Sequence, residues 1–323
     1  MNVTLKDLIG LTKELPEKYF EEVFERLTEI KEKADAEKKA DSSIKVCPHC
    51  DSSCIVRNGK RHGRQAYICR SCDKTFVETT GSAIANSHSQ PAVWRQVIRD
   101  TVDGVSIEQT AGGLDLHHET VFYMRHKILY LLEQELMASP VSLSGVSEAD
   151  ETYVLESEKG RKFQENHHRS PRKRGGKASK PGLSNEQICI CASVNADGEC
   201  VAMTVNRAAP SKSELNQVFG ERITDDTVIL CDGSKNYDVF EDKCTVAHVK
   251  HPNKVNGFHS FIKERLREMR GVATIYQNRY NALFSLIYAN QDSAVDKIFE
   301  LITSCKDYFS SNNDIETQNL LTI

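Results

Sequence analysis

A chain of 323 residues, 39% apolar and 27% charged, is long enough for two or three compact units and can bury a core of ordinary size. The segment MNVTLKDLIG lacks a basic stretch followed by an apolar run, and nothing approaches a bilayer span, so secreted and membrane classes are excluded and a cytoplasmic chain is expected. The formal net charge of −4 hides an uneven distribution: residues 157–182 hold nine Lys or Arg against Glu158 and Glu165, a local basic stripe suited to phosphate contact.

Residues 1–44 read as a helical arm. Apolar residues from Leu5 to Ile30 recur near helical spacing, and Pro16 predicts a break into two helices. The arm either packs on its own chain or serves as an oligomerisation element. Asp41 to Ile44 form a short linker.

Residues 45–80 hold the most specific local signal. Of eleven cysteines, four form two C-x-x-C pairs, Cys47/Cys50 and Cys69/Cys72, separated by eighteen residues that alternate as a hairpin should. That spacing predicts a zinc ribbon with a closed, structural four-thiolate Zn²⁺ site. Cys54 and His49 are possible substitutes but are more simply neighbours of the knuckle. Arg57, Lys60, Arg61 and Arg64, with His62, crowd the hairpin tip between Gly59 and Gly63, where basic groups would meet DNA phosphates.

Residues 90–139 turn helical. Ser106 caps a short helix, Gly112 and Gly113 suggest a turn, and a second helix carries Val121, Met124, Ile128 and Leu131 on one side: a helix-turn-helix pattern. That second helix would expose His118, Glu119, Tyr123, Arg125, His126 and Lys127 in turn; Arg125 and Lys127 are the DNA candidates. The competing account is a helical hairpin that only packs against the next domain. His117 and His118, adjacent on a helix, point apart and make a poor metal pair.

Pro140 and a Ser-rich stretch mark the next boundary. Over 145–305 the apolar runs become short and β-branched: TYVL, ICICASV, CVAMTV, TVILCD and TVAHV. Five strands, a helix over Ser211 to Arg222 and helices after Phe258 describe a mixed α/β domain. The insert 157–182 includes Arg172, Lys173 and Arg174, and is either a solvated loop or a grip on the DNA backbone. Residues 306–323 read as a frayed tail.

Two carboxylates stand out. Asp150 opens one predicted strand and Asp232 ends another, and acidic groups from separate strands can converge to hold paired divalent ions, as phosphodiester chemistry requires. Glu151, next to Asp150, is expected on the opposite face. The segment HVKHPNKVNGFHSFIKERLREMRGVAT then reads as a loop running into a basic helix. His259 competes for a ligating or DNA-positioning role, and Glu264 is expected on the surface.

From Cys47 to Tyr288 the order of ribbon, helix-turn-helix, DETYV, LCDGSKNY and VNGFHSFIKERLR followed by RGVAT resembles the zinc-ribbon insertion-sequence transposases of the DDE superfamily, the ISXO-like group. The resemblance implies an RNase H-like mixed-sheet catalytic domain preceded by the ribbon and helix-turn-helix. It places Asp150 and Asp232 as the first two catalytic carboxylates, Asn256 where most DDE enzymes carry glutamate, and Lys263 as the basic residue two turns on. It also implies Mg²⁺ or Mn²⁺ at Asp150, Asp232 and Asn256, terminal inverted repeats and target DNA as ligands, a homo-oligomer that synapses two ends, and residence in the cytoplasm at the nucleoid. Two rival readings are a non-catalytic DNA-binding regulator descended from a transposase and a metal nuclease without strand transfer.

Overall fold

The computed structural model describes residues 44–61, 63–85, 87–138, 141–159, 178, 184–250, 252–269 and 272–304. The expected N-terminal arm, nearly all of the basic insert and the C-terminal tail lie outside them. The chain divides into two compact units between Ser87 and His88.

The first unit is a three-stranded antiparallel sheet in the order β1 (Ile55–Arg61), β2 (Arg64–Cys69), β3 (Thr75–Val77). The β1–β2 register shifts between Arg57 and Lys60, and Gly59 there has φ +68°. A side chain at such a φ is strained, which explains a glycine at this position. Among the described residues the unit's buried apolar cluster is Cys47, Tyr67, Cys69 and Phe76, with Tyr67 and Phe76 stacked at 5.7 Å. So small a core needs a cross-link or metal to persist.

The second unit opens with α1 (Pro91–Val102), α2 (Ile107–Leu114) and α3 (His118–Ala138). Pro91 occupies the first turn of α1, where its missing N–H is harmless. Ser106 caps α2 in a reciprocal capping box with Gln109. The glycines do not make the turn: Gly112 and Gly113 lie inside α2, and Asp115, at φ +51°, ends it. Asp tolerates the left-handed region because its short side chain is polar. Val121, Met124, Ile128 and Leu131 are buried as expected, but so are Arg125 and His126.

The five apolar runs all form strands: β4 (Val146–Leu155), β5 (Gln187–Asn195), β6 (Cys200–Thr204), β7 (Val228–Cys231) and β8 (Thr245–His248). They form one mixed sheet in the order β6-β5-β4-β7-β8, with β4 antiparallel to β5 and parallel to β7. The pairs β5–β6 and β7–β8 are antiparallel and parallel respectively. On one face Ala149, Cys191, Met203 and Ile229 pack with Leu215, Val218 and Phe219 of α4 (Lys212–Phe219) and with Tyr237 and Phe240 of a 3-10 helix, Lys235–Phe240. Truncating Phe219, fully enclosed in this layer, to Ala would cost about 3–5 kcal/mol.

Residues of alternate parity face the other way, where α5 (Asn253–Glu268) lies over β4 and β5 and α6 (Gln277–Ala289) over β6. A short 3-10 turn, Thr274–Tyr276, leads into α6, and Thr274 and Ser157 exchange hydrogen bonds at 2.8 and 2.9 Å, fastening the end of β4. The final helix, α7 (Ala294–Ser304), packs on α1, where Arg95 pairs with Asp296. No helix among the described residues is long and apolar enough to cross a membrane.

Candidate active site and metal centres

In the first unit the four thiols Cys47, Cys50, Cys69 and Cys72 converge, with all four sulfurs within 4.8 Å of one another. The Cys47–Cys72 and Cys50–Cys69 Sγ pairs are 3.7 and 3.6 Å apart. The two C-x-x-C-D segments fold alike. In each, the N–H two residues on, of His49 or Ser71, donates to the leading sulfur at 3.4 Å. In each, the following Asp, Asp51 or Asp73, takes φ +55° and donates its N–H back to the leading carbonyl at 2.9 Å. Burial pushes the Cys69 thiol up, but the backbone N–H groups of Ser71 and Cys72 outweigh it and hold the thiol down at about 6. The same crowding pushes the neighbouring Cys50 thiol up to about 12. Cys54 and His49 stand outside the cluster; His49 instead meets Phe76 edge-on at 6.3 Å.

In the second unit Asp150 is the fifth residue of β4, not its first, and Asp232 immediately follows β7. The β4–β7 ladder ends at Ala149 opposite Cys231, so β4 continues past the point where its neighbour leaves the sheet. Carboxylate oxygens of Asp150, Glu151 and Asp232 lie within 4.8 Å of one another. Glu151 therefore joins the two aspartates, although it was expected on the opposite face. Alternation does put it on the α4 face, but with β7 gone the sheet edge is open, and Glu151 is one methylene longer than Asp. Asp232, at the strand end, meets both.

Burial and crowding raise two of these carboxylates. Burial pushes Asp150 above its usual range, Asp232 adds to this, and the ammonium of Lys263 opposes it. Glu151 is pushed up to about 7, first by burial, against the nearby Tyr237 hydroxyl, and further by Asp150 and Asp232. One Glu151 oxygen and the Tyr237 hydroxyl are buried, and although the two groups are close, neither has a partner in good hydrogen-bond geometry. Asp232 fixes its own turn by accepting the Ser234 N–H at 3.0 Å. Its carbonyl meets His248 Nδ1 at 2.8 Å, and this contact raises the imidazole above its ordinary value, with Asp238 at 3.2 Å contributing.

Glu148, two residues before Asp150 and on the same face, anchors the third element. One carboxylate oxygen accepts the N–H groups of Lys254 and Val255 at 2.6 and 3.1 Å. It thereby caps α5, whose own N-cap residue, Pro252, offers no side-chain acceptor. This fixes the helix bearing Asn256, His259 and Lys263 to the strand bearing Asp150. A Cβ on Gly257 would lie 3.1 Å from the Tyr288 hydroxyl, which favours glycine there. Asn256 and Lys263 are exposed. His259 is 6% exposed, outside the carboxylate cluster, with its ring on the backbone carbonyl of Asp150. Burial, aided by Lys263, lowers its pKa to about 4, so it is neutral at pH 7. Glu264 is exposed and pairs with Arg267 at 3.3 Å.

Of the basic residues, Arg57, Lys60 and Arg61 are exposed along β1. Arg64 is half-buried and donates to Thr79 at 3.1 Å. Arg125 is a correction: only 6% exposed, it donates to the Val105 carbonyl at 2.9 Å and is spent on structure. Lys127 is half-buried, and burial lowers its pKa. His118, Glu119 and Tyr123 are what the first turns of α3 present to solvent. Arg265, on the basic helix α5, donates to the Val102 carbonyl. Arg172, Lys173 and Arg174 lie outside the described residues. Sequence reasoning did not single out Glu148, Tyr237 or His248; only the i, i+2 relation of Glu148 to Asp150 pointed to any of them.

No protein-family profile matches the chain. Over 209 residues, 64% of this chain and 68% of the other, it is 25% identical to an uncharacterised protein in transposable element ISH50 of Halobacterium salinarum. Among solved structures, a pre-cleavage Mos1 transpososome matches at 11% identity and a TM-score of 0.26, covering 68% of this chain and 80% of that one. The mariner Mos1 paired end complex with Mg matches at 13% identity and a TM-score of 0.29, covering 69% and 80%. With overlaps so low, the fold rests on the strand order and directions above.

Proposed function

We propose that the chain is a DDE-type DNA transposase, in which a zinc ribbon and a helix-turn-helix bring element ends to an RNase H-like domain for metal-dependent cleavage and strand transfer. The observation that carries this is the convergence of Asp150 and Asp232, from adjacent parallel strands, into one carboxylate cluster. A sheet in which β5 alone runs against the other four agrees with the RNase H-like reading, and a relative belonging to a transposable element lends it further support.

The donor sets fit two different metals. Four thiolates suit Zn²⁺ with no open position, hence a structural role. Carboxylates with an orphaned buried oxygen suit Mg²⁺ or Mn²⁺, which when bound stabilises the attacking and leaving oxygens of an in-line displacement. Asp150 and Asp232 would hold that metal, and Asn256 would add a neutral carbonyl oxygen. Lys263, whose charge already acts on Asp150, would bind a phosphate near the terminus. His259, kept neutral, steadies the Asp150 backbone. Water attacks the phosphodiester at the element end to release a 3′-hydroxyl, which then attacks target DNA. Terminal inverted repeats and target DNA are the ligands, and a homo-oligomer synapses two ends. Arg57, Lys60 and Arg61 contribute phosphate contacts, and α2 with α3 forms the helix-turn-helix, contacting DNA through the exposed start of α3.

The exposed, neutral Asn256 favours a second reading, a non-catalytic DNA-binding regulator. Incubating the full chain with Mn²⁺ and DNA carrying the inverted repeats that flank its gene separates the two. Nicking at the repeat ends that is lost in Asp232→Ala is expected; repeat binding without any nicking would establish the regulator.

A further inference from the structure

We infer that Glu151 is the third carboxylate of the divalent-metal site, supplying the charge that Asn256 does not. The inference rests on the transposase reading only in taking Asp150 and Asp232 as ligands.

Three observations point the same way. Glu151 places an oxygen within 4.8 Å of those of both aspartates, across a sheet edge left open where β7 departs. One of its oxygens is buried without a partner. Directly against it, Tyr237 is fully enclosed by the α4-face core, and its hydroxyl, close to Glu151, meets no partner in good hydrogen-bond geometry. A buried carboxylate beside two others is unfavourable by itself, because desolvation and like charge act together. A divalent cation among the three offsets both costs by its attraction for each carboxylate. The Tyr237 hydroxyl then has a carboxylate whose charge and position are fixed, and donating to it orients the ligand. Asn256 sits on the exposed side of α5, and as an amide it adds no charge. Affinity for hard divalent ions follows the number of charged oxygen donors, so a site with Glu151 does not depend on Asn256 for its strength.

The test is a Mn²⁺ titration of the full chain without DNA, followed by electron paramagnetic resonance, on wild type, Glu151→Gln, Glu151→Asp and Asp232→Asn. Glu151→Gln keeps the shape while removing the charge, and is expected to weaken Mn²⁺ binding roughly ten-fold or more, with Glu151→Asp falling between it and wild type. Mn²⁺ affinity unchanged in Glu151→Gln would overturn the inference. Should that variant fail to fold, Glu151→Asp takes its place, and unchanged affinity there overturns the inference equally. Loss of binding in Asp232→Asn alone removes Glu151 from the site and leaves the two-aspartate reading standing. Full binding in every variant contradicts both.

Discussion

The thiol cluster and the carboxylate cluster are both sets of converging metal donors, yet they are built in opposite ways. Each half of the thiol site is local: a C-x-x-C-D turn sets its own sulfurs through backbone N–H donation, and the two halves repeat one another. Four donors close the sphere, leaving no position for chemistry. The carboxylate site has no local half. Asp150 and Glu151 come from mid-strand, Asp232 from the end of a neighbouring strand, and the helix beside them is held by Glu148. It keeps an open side and unpartnered buried oxygens, features of a place where charge arrives later. The thiol cluster is assembled by turns alone, the carboxylate cluster by the whole sheet.

Cys69→Ser gives the largest expected effect. It removes one of the four thiols proposed to hold zinc, a site whose apparent binding energy would be on the order of 10 kcal/mol. Far-ultraviolet and near-ultraviolet circular dichroism with metal analysis should show zinc lost and the small sheet unfolded, while the helical signal of the larger unit stays; unchanged zinc content would end the structural-metal assignment.

Next comes acid sensitivity from His126, packed between Phe122 at 4.2 Å and Tyr276 at 4.6 Å. Burial, with Arg279 and Arg125, lowers its pKa from 6.5 to about 4, so the fold favours the neutral ring. Its contribution is full above pH 6.5 and is lost as pH falls toward 4, about 3 kcal/mol over that window. Melting temperature against pH should fall less steeply in His126→Leu than in wild type, and parallel curves would contradict the burial argument.

Glu148→Ala sharpens the contrast from the carboxylate side. It uncaps α5 and should cost about 1–2 kcal/mol, lowering end cleavage more than the stability change explains, because Lys263 loses its register with Asp150. A variant that melts earlier yet cleaves normally when folded would reduce Glu148 to a stability role. Smallest is the basic insert: Lys173→Glu with Arg174→Glu should lower the slope of log affinity against log salt by about two, and an unchanged slope would return the segment to a solvated loop.

Much of this was legible in sequence, and the failures share a cause. β-branched runs named all five strands, and the cysteine spacing named the thiol cluster, because both signals are local. Glu151 stands on the opposite face, as alternation predicts, but its meeting with the aspartates was not legible, because the ladder to β7 stops one residue before Asp150 and leaves the sheet edge open. Arg125 and His126 were misplaced because α3 is buried around most of its circumference, and a helix covered on several sides has no polar stripe for periodicity to find. Gly112 and Gly113 suggested a turn by composition, whereas the left-handed position fell to Asp115.

The most direct test of the central claim is strand transfer itself: pre-cleaved repeat ends bearing a 3′-hydroxyl, a target plasmid and Mn²⁺, with wild type and Asp232→Ala compared. The account predicts covalent end-to-target products with wild type and none with the variant. Cleavage without joining by wild type would make the protein a nuclease, and joining by Asp232→Ala would remove the carboxylate cluster from the chemistry.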